Sequence, residues 1–142
     1  VPYATYEQLL AYAGEAQLIE LSDRSGAGAT VVDAALCARA LTDADALIDG
    51  HLAGRHDLPL VATPPLLTTL ALPIALYKAH SRSAPEKVRQ DYEDAVRVLE
   101  RIADGRVKLD VAGSEPAVAG GGAVRDNAPA RPLTADTLRG YI

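Results

Sequence analysis

No methionine, phenylalanine or tryptophan occurs anywhere in this chain, and there is one cysteine, Cys37. A lone cysteine has no internal disulfide partner, so the fold must hold without a covalent staple. It also suits a reducing compartment. No run of Lys or Arg is present and the formal charge is −5. That leaves out the basic face with which a free-standing nucleic-acid binder neutralises phosphates. No apolar run approaches the roughly 18 residues needed to cross a bilayer. The N-terminus has no basic segment followed by an apolar one, so no signal peptide is expected. Val1 is small enough to follow a removed initiator methionine. Aromatics reach only 4%, all of them tyrosine. The core therefore lacks its bulkiest packing units, which favours a protein that gains stability in an assembly.

What is present is aliphatic. Apolar residues make up 49% of 142 residues, ordinary for one globular domain with one core. They are mostly Ala, Leu, Val and Ile, and Ala and Leu are the best helix formers. Thr5-Tyr6-Glu7-Gln8 reads as a capping box opening a short helix with Tyr6, Leu9 and Leu10 apolar and Gly14 as its stop. A second short helix is expected from Glu15 to Leu21. The run "SDRSGAGAT" is a loop. From Thr30, Val32, Leu36, Ala40, Ala44, Leu47, Ile48 and Leu52 recur at three- and four-residue spacing, the apolar face of one long central helix ending at Gly54. Pro59, Pro64 and Pro65 restrict the segment that follows. With Thr63 as cap, Pro64 and Pro65 suit the first turn of the next helix. Its expected buried face is Leu66, Leu67, Leu70, Ile74 and Tyr77, with a kink near Pro73. Ser83-Ala84-Pro85-Glu86 reads as a second capping box, before a helix with Val88, Tyr92, Val96, Leu99 and Ile102 apolar that ends near Gly105. Val107, Leu109 and Val111 alternate with Lys108 and Asp110, which predicts a short β-strand over 107–111.

The expected fold is thus all-α. It is a small bundle of about four to five helices with one long central helix, a short strand near 107–111 and an extended C-terminal arm. Residues 1–112 form the helical domain. Residues 113–142 are Gly-, Ala- and Pro-rich and bury too little to fold alone. Their last ten residues, "LTADTLRGYI", recover apolar side chains, so the arm reads as flexible with a docking tip. Leu133, Leu138, Arg139, Tyr141 and Ile142 are its candidate contacts for a partner.

One stretch concentrates polar chemistry. "IDGHLAGRHDLPL", Ile48 to Leu60, holds two aspartates, two histidines and an arginine. Asp45 and Asp49 share a helix face, with His51 and His56 nearby. The histidines are five apart and straddle a helix end, unlike the one-turn spacing of zinc ligands. No metal is expected. Cys37 falls mid-helix with no activating neighbour, and there is no G-x-S-x-G. The glycine-rich 26–28 and 120–122 lack phosphate-loop spacing. No catalytic residue and no cofactor is expected. Helical register makes Ile48 and Leu52 core residues, and Leu58-Pro59-Leu60 the strap that leads into the next helix.

Five segments in order carry a resemblance. They are "YATYEQLLAYAGEAQLIELSD" at 3–23, "DADALIDGHLAGRHDLPL" at 43–60, "PPLLTTLALPIALYKAH" at 64–80, "YEDAVRVLERIADGRVKL" at 92–109 and "LTADTLRGY" at 133–141. By these the chain resembles a family of small proteins of Mu-like phages and prophages. That family is grouped with the head–tail connector (head-completion, adaptor) proteins of tailed phages and was long described only as a domain of unknown function. The second segment is similar to the family's "IDGYLAGRYxLPL", with His51 and His56 where relatives carry aromatics. A catalytic histidine would not alternate with tyrosine, so the resemblance implies that His51 and His56, with Leu58 and Leu60 beside them, are packing or subunit-contact groups. Pro73 also stands where relatives more often have another residue.

The resemblance implies a structural virion protein rather than an enzyme. It would form a ring, commonly of twelve copies, under the portal protein and carry the DNA channel toward a downstream tail or stopper protein. It would occupy the virion neck, with the host cytoplasm as its site of assembly and no membrane partner. DNA would pass through without sequence-specific binding, with Asp43, Asp45 and Asp49 as candidate channel-facing groups that repel phosphate. The second reading is a small DNA-binding helical module, terminase small-subunit-like or repressor-like, which needs a basic recognition helix that the sequence does not show. A third, a small metal-dependent enzyme, would be settled by metal analysis of purified protein.

Overall fold

The structure is a computed structural model that describes residues 2–23, 28, 30–81 and 83–110. Five helices follow one another: α1 (Tyr6–Ala13), α2 (Glu15–Ser22), α3 (Ala34–Leu52), α4 (Pro65–Ala79) and α5 (Glu86–Ala103). The C-terminal arm lies outside the described residues, as does Val111.

The helix ends show which local signals won. The capping box at Thr5 forms as expected: its side chain accepts from the Gln8 N–H, and Gln8 accepts from the Thr5 N–H. Gly14 closes α1 and opens α2 at φ 85°, a conformation costly for any residue with a Cβ. The long helix begins at Ala34, not at Thr30. Asp33 caps it by accepting from the N–H groups of Ala35 and Leu36, and a side-chain acceptor at that place fixes the start. Thr63 does not cap α4, whose N-cap is Pro64. Ser83 does not cap α5, which starts at Glu86 after Pro85. A residue before proline avoids the helical region, so Ala84 cannot be drawn into the first turn. The Glu86 carboxylate turns instead to Arg89 and Gln90.

The expected strand over 107–111 is absent among the described residues, where every regular element is a helix. A single strand with no neighbour leaves its ladder unpaired. The chain instead finishes α5: the N–H groups of Arg106 and Val107 both donate to the Arg101 carbonyl, at 2.8 and 3.2 Å. Gly105 at φ 75° makes that reversal. Leu109 then folds back into the core, so the alternation of Val107 and Leu109 records burial, not a sheet.

Helices α3, α4 and α5 pack on one another, and α1 closes against α3 and α4. The core is built from Leu9, Leu18, Ile48, Leu52, Leu67, Ile74, Leu99 and Ile102, with Cys37 among them. Burial, followed by the nearby Asp33 charge, pushes the Cys37 thiol up, so it behaves as a small apolar filler. Tyrosine supplies the aromatic packing that Phe and Trp would otherwise give. Tyr77 of α4 stacks on Tyr92 of α5 with centroids 4.1 Å apart, and Lys78 stands over the Tyr92 ring. Helix α4 is continuous through the buried Pro73. Leu66, expected on its buried face, is 36% exposed.

Candidate functional site

The polar stretch 48–60 becomes the end of α3 and part of the strap that leads into α4. Ile48 and Leu52 are fully buried. His51 is half-buried, and its Nδ1 lies 2.9 Å from the Leu47 carbonyl one turn back. The helix does not stop on Gly54: Ala53 is its C-cap, and the Arg55 and His56 N–H groups both bond the Leu52 carbonyl. His56 is buried, Leu58 packs at the edge of the core and Leu60 is buried. All four residues assigned to packing or subunit contact are thus at least half covered within this chain.

The three aspartates separate. Asp43 is exposed, whereas Asp45 and Asp49 are half-buried. Tyr3 bonds both of these: its N–H donates to Asp45 Oδ1 at 3.0 Å and its hydroxyl donates to Asp49 Oδ1. The Tyr3 carbonyl in turn accepts from the Thr68 hydroxyl of α4 at 2.8 Å. One residue thereby ties the N-terminal segment to two helices. Like charges four residues apart on a helix repel, and Tyr3 supplies both donors that offset this. Burial, followed by the Asp49 bond and charge, holds the Tyr3 hydroxyl well above the usual tyrosine range. Burial is also the main cause that raises the Asp45 carboxyl, with Asp49 adding to it and the Tyr3 N–H opposing it. Beside this cluster, Tyr3, Asp49, Pro59, Leu60 and Thr63 line a cleft of about 30 Å³, enough for a water molecule or two.

With this geometry in place, relatives can be compared. The protein family described as Bacteriophage Mu, Gp36 matches residues 3–126. The chain belongs to that family. It is 38% identical over 87 residues to "Mu-like prophage FluMu protein gp36" of Haemophilus influenzae, covering 61% of this chain and 62% of that protein. It is 39% identical over 74 residues to "Gene product J" of Escherichia phage Mu, covering 52% of each. The aligned parts thus span only somewhat over half the length of these relatives. The expected kinship with Mu-like phage proteins is therefore established.

For this Gp36-family chain the distribution of charge matters. Residues 1–53 hold eight Asp or Glu against two Arg, whereas residues 54–142 hold eleven against twelve Lys or Arg. The net negative charge therefore belongs to the part of the chain that forms α1, α2 and α3. Among the described residues no three or more His, Cys, Asp or Glu side chains gather as a metal site. No described helix is long and apolar enough to cross a membrane. Leu133, Leu138, Arg139, Tyr141 and Ile142 lie outside the described residues.

Two features escaped the sequence reading. Tyr3 was legible only as the residue before a capping box, because its partners are 42, 46 and 65 positions away. Arg55 lays its guanidinium on Gly105, where an added Cβ would collide with it. The glycine signal at 105 was visible as a helix stop, but nothing local points to Arg55.

Proposed function

We propose that this chain is a structural virion protein of a tailed phage. It acts as a head–tail connector that sits as a ring under the portal, in the virion neck, and extends the DNA channel toward the tail. The observation that carries this reading is the family match across residues 3–126, which covers the whole helical body. The portal, neighbouring copies of the chain and a tail-side or stopper protein are its partners. The negative charge held by residues 1–53 suits a wall along which DNA slides without sticking, because like charge raises no phosphate contacts. Asp43 is the exposed candidate for such a wall. Asp45 and Asp49 bond Tyr3 and would contribute through their field. The test is electron microscopy of the protein mixed with its cognate portal. An added ring beneath the portal is the expected result. Portal particles with no added density, together with a gel shift on duplex DNA at moderate salt, would favour the DNA-binding reading instead.

A further inference from the structure

The strap between α3 and α4 carries Val61, the most exposed large apolar side chain among the described residues, at 89%. Pro59, Ala62 and Pro65 are exposed on either side of it in sequence, and Leu66 follows in the first turn of α4. The setting is uncharged. From Ala44 to Tyr77 every exposed residue except Asp57 is neutral. Charge is depleted in this way at the centre of protein interfaces, and apolar side chains held out in water together mark a contact surface.

Charge also decides what can cover this rim. Apart from Gln90, every exposed residue of α5 is charged, and Lys87, Arg89 and Arg97 are already engaged in ion pairs along that helix. The exposed charges described before Ala44 are Glu7, Glu15, Glu20, Asp33 and Asp43, against Arg39 alone. An apolar rim laid on either of those surfaces would strip water from charges without pairing them. The rim of another copy imposes no such cost. A surface that meets its own counterpart does so about a two-fold axis. Like charges would be opposed at such an axis, and this surface brings almost none to it.

We infer that the free protein pairs with a second copy of itself, strap to strap, with Val61 of each copy against Val61 of the other and Leu66 at the margin. The exposed residues of the rim are far fewer than the about 20–30 a side of a standard interface. The pair is therefore weak and depends on concentration. Neighbours in a ring meet through two different patches of each copy, so this pair is a separate state of the free chain and does not rest on the connector reading.

Sedimentation equilibrium of the 142-residue chain tests it. A rise from one chain mass to two with concentration is expected. Added salt should strengthen it, because salt screens the repulsion between two net-negative copies. Two Val61 side chains are covered per pair, so Val61→Asp and Val61→Lys should each weaken pairing by about a hundredfold. Mixing these two variants should restore a mixed pair, because opposite charges then face one another across the axis. Lys87→Ala on α5 should leave pairing unchanged. Circular dichroism checks that the variants keep their helix content. A single-chain mass up to about a millimolar would overturn the inference. So would pairing that survives Val61→Asp, a mixture that fails to pair, or growth beyond two copies. Ring formation on the portal is scored separately by microscopy. A normal ring from a chain that never pairs overturns this inference and leaves the connector reading standing, and a pair without a ring does the reverse.

Discussion

Helices α4 and α5 lie side by side and are built on opposite plans. Helix α4 is apolar nearly all round and buries Leu67, Leu70, Ala71, Pro73, Ile74, Ala75, Leu76 and Ala79. Helix α5 buries only Val88, Ala95, Leu99 and Ile102, one stripe of an 18-residue helix. Its other faces carry local ion pairs: Arg89 with Glu86 and Glu93, Lys87 with Asp91, and Arg97 with Asp94. The difference follows from position. Helix α4 is packed against α3, α5 and α1, which leaves room for a single charged residue, Lys78 in its last turn. Helix α5 meets the bundle on one side and water on the other. Stability should therefore reside in most of α4 but in only a stripe of α5.

The sharpest way to break that contrast is truncation. Ile74→Ala in α4 should cost about 2–5 kcal/mol in a urea melt, and Leu99→Ala on the α5 stripe should fall in the same range. A loss below about 1 kcal/mol at Ile74 would mean that α4 is not the centre of the core. Next comes the joint between α5 and the strap. Gly105→Ala forces a Cβ into a left-handed backbone and against the Arg55 guanidinium, and should cost about 1–3 kcal/mol. Arg55→Ala in the same chain should recover part of that loss, because the two residues share one contact. Strictly additive losses would refute the coupling.

Smaller effects belong to the Tyr3 cluster, a polar counterpart to the α4 core. Tyr3→Phe keeps the ring and removes the donor to Asp49, so about 1–2 kcal/mol should be lost. The Asp45 carboxyl is raised by burial. Its favourable contribution is therefore complete only below its ordinary value and is lost as pH rises through the raised one. Asp45→Asn should accordingly be slightly more stable than the native chain at pH 7, by less than about 1 kcal/mol. The gap should close near pH 3.5. A gap that widens on acidification would reverse the assignment. At the bottom of the scale, Arg89→Ala on the solvent face of α5 should leave the urea midpoint unchanged within error.

The same contrast explains how far the sequence could be read. On α5 the charged residues mark the outside: of the expected face Val88, Leu99 and Ile102 are buried and Tyr92 and Val96 half-buried, while the buried Ala95 was not singled out. On α4 only Thr68, Thr69 and Lys78 are polar, too few to mark one face, so periodicity could not choose among its faces. Leu66 was placed inside and is exposed, while Ala71, Ala75, Leu76 and Ala79 were not singled out and are buried. The strand expected at 107–111 failed for a related reason. Two alternating apolar residues satisfy the pattern of a strand, but a strand also needs a partner, and the chain provides none beside the described residues 107–110. Of the polar stretch, the burial of Ile48 and Leu52 was visible in helical register. The division of the three aspartates into one exposed and two bonded to Tyr3 was not.

By itself the sequence determined the helical class, the Thr5 capping box, the stops at Gly14 and Gly105, the α5 stripe and the kinship with Mu-like phage proteins. Each of these depends on residues within a few positions of one another, or on segments matched in order. Tertiary structure alone decided which faces of α4 are covered, that Arg55 lies on Gly105, and that Tyr3 joins Asp45, Asp49 and Thr68. Those contacts join positions tens of residues apart. Their partners are selected by how whole helices pack, and that packing leaves no mark in local spacing.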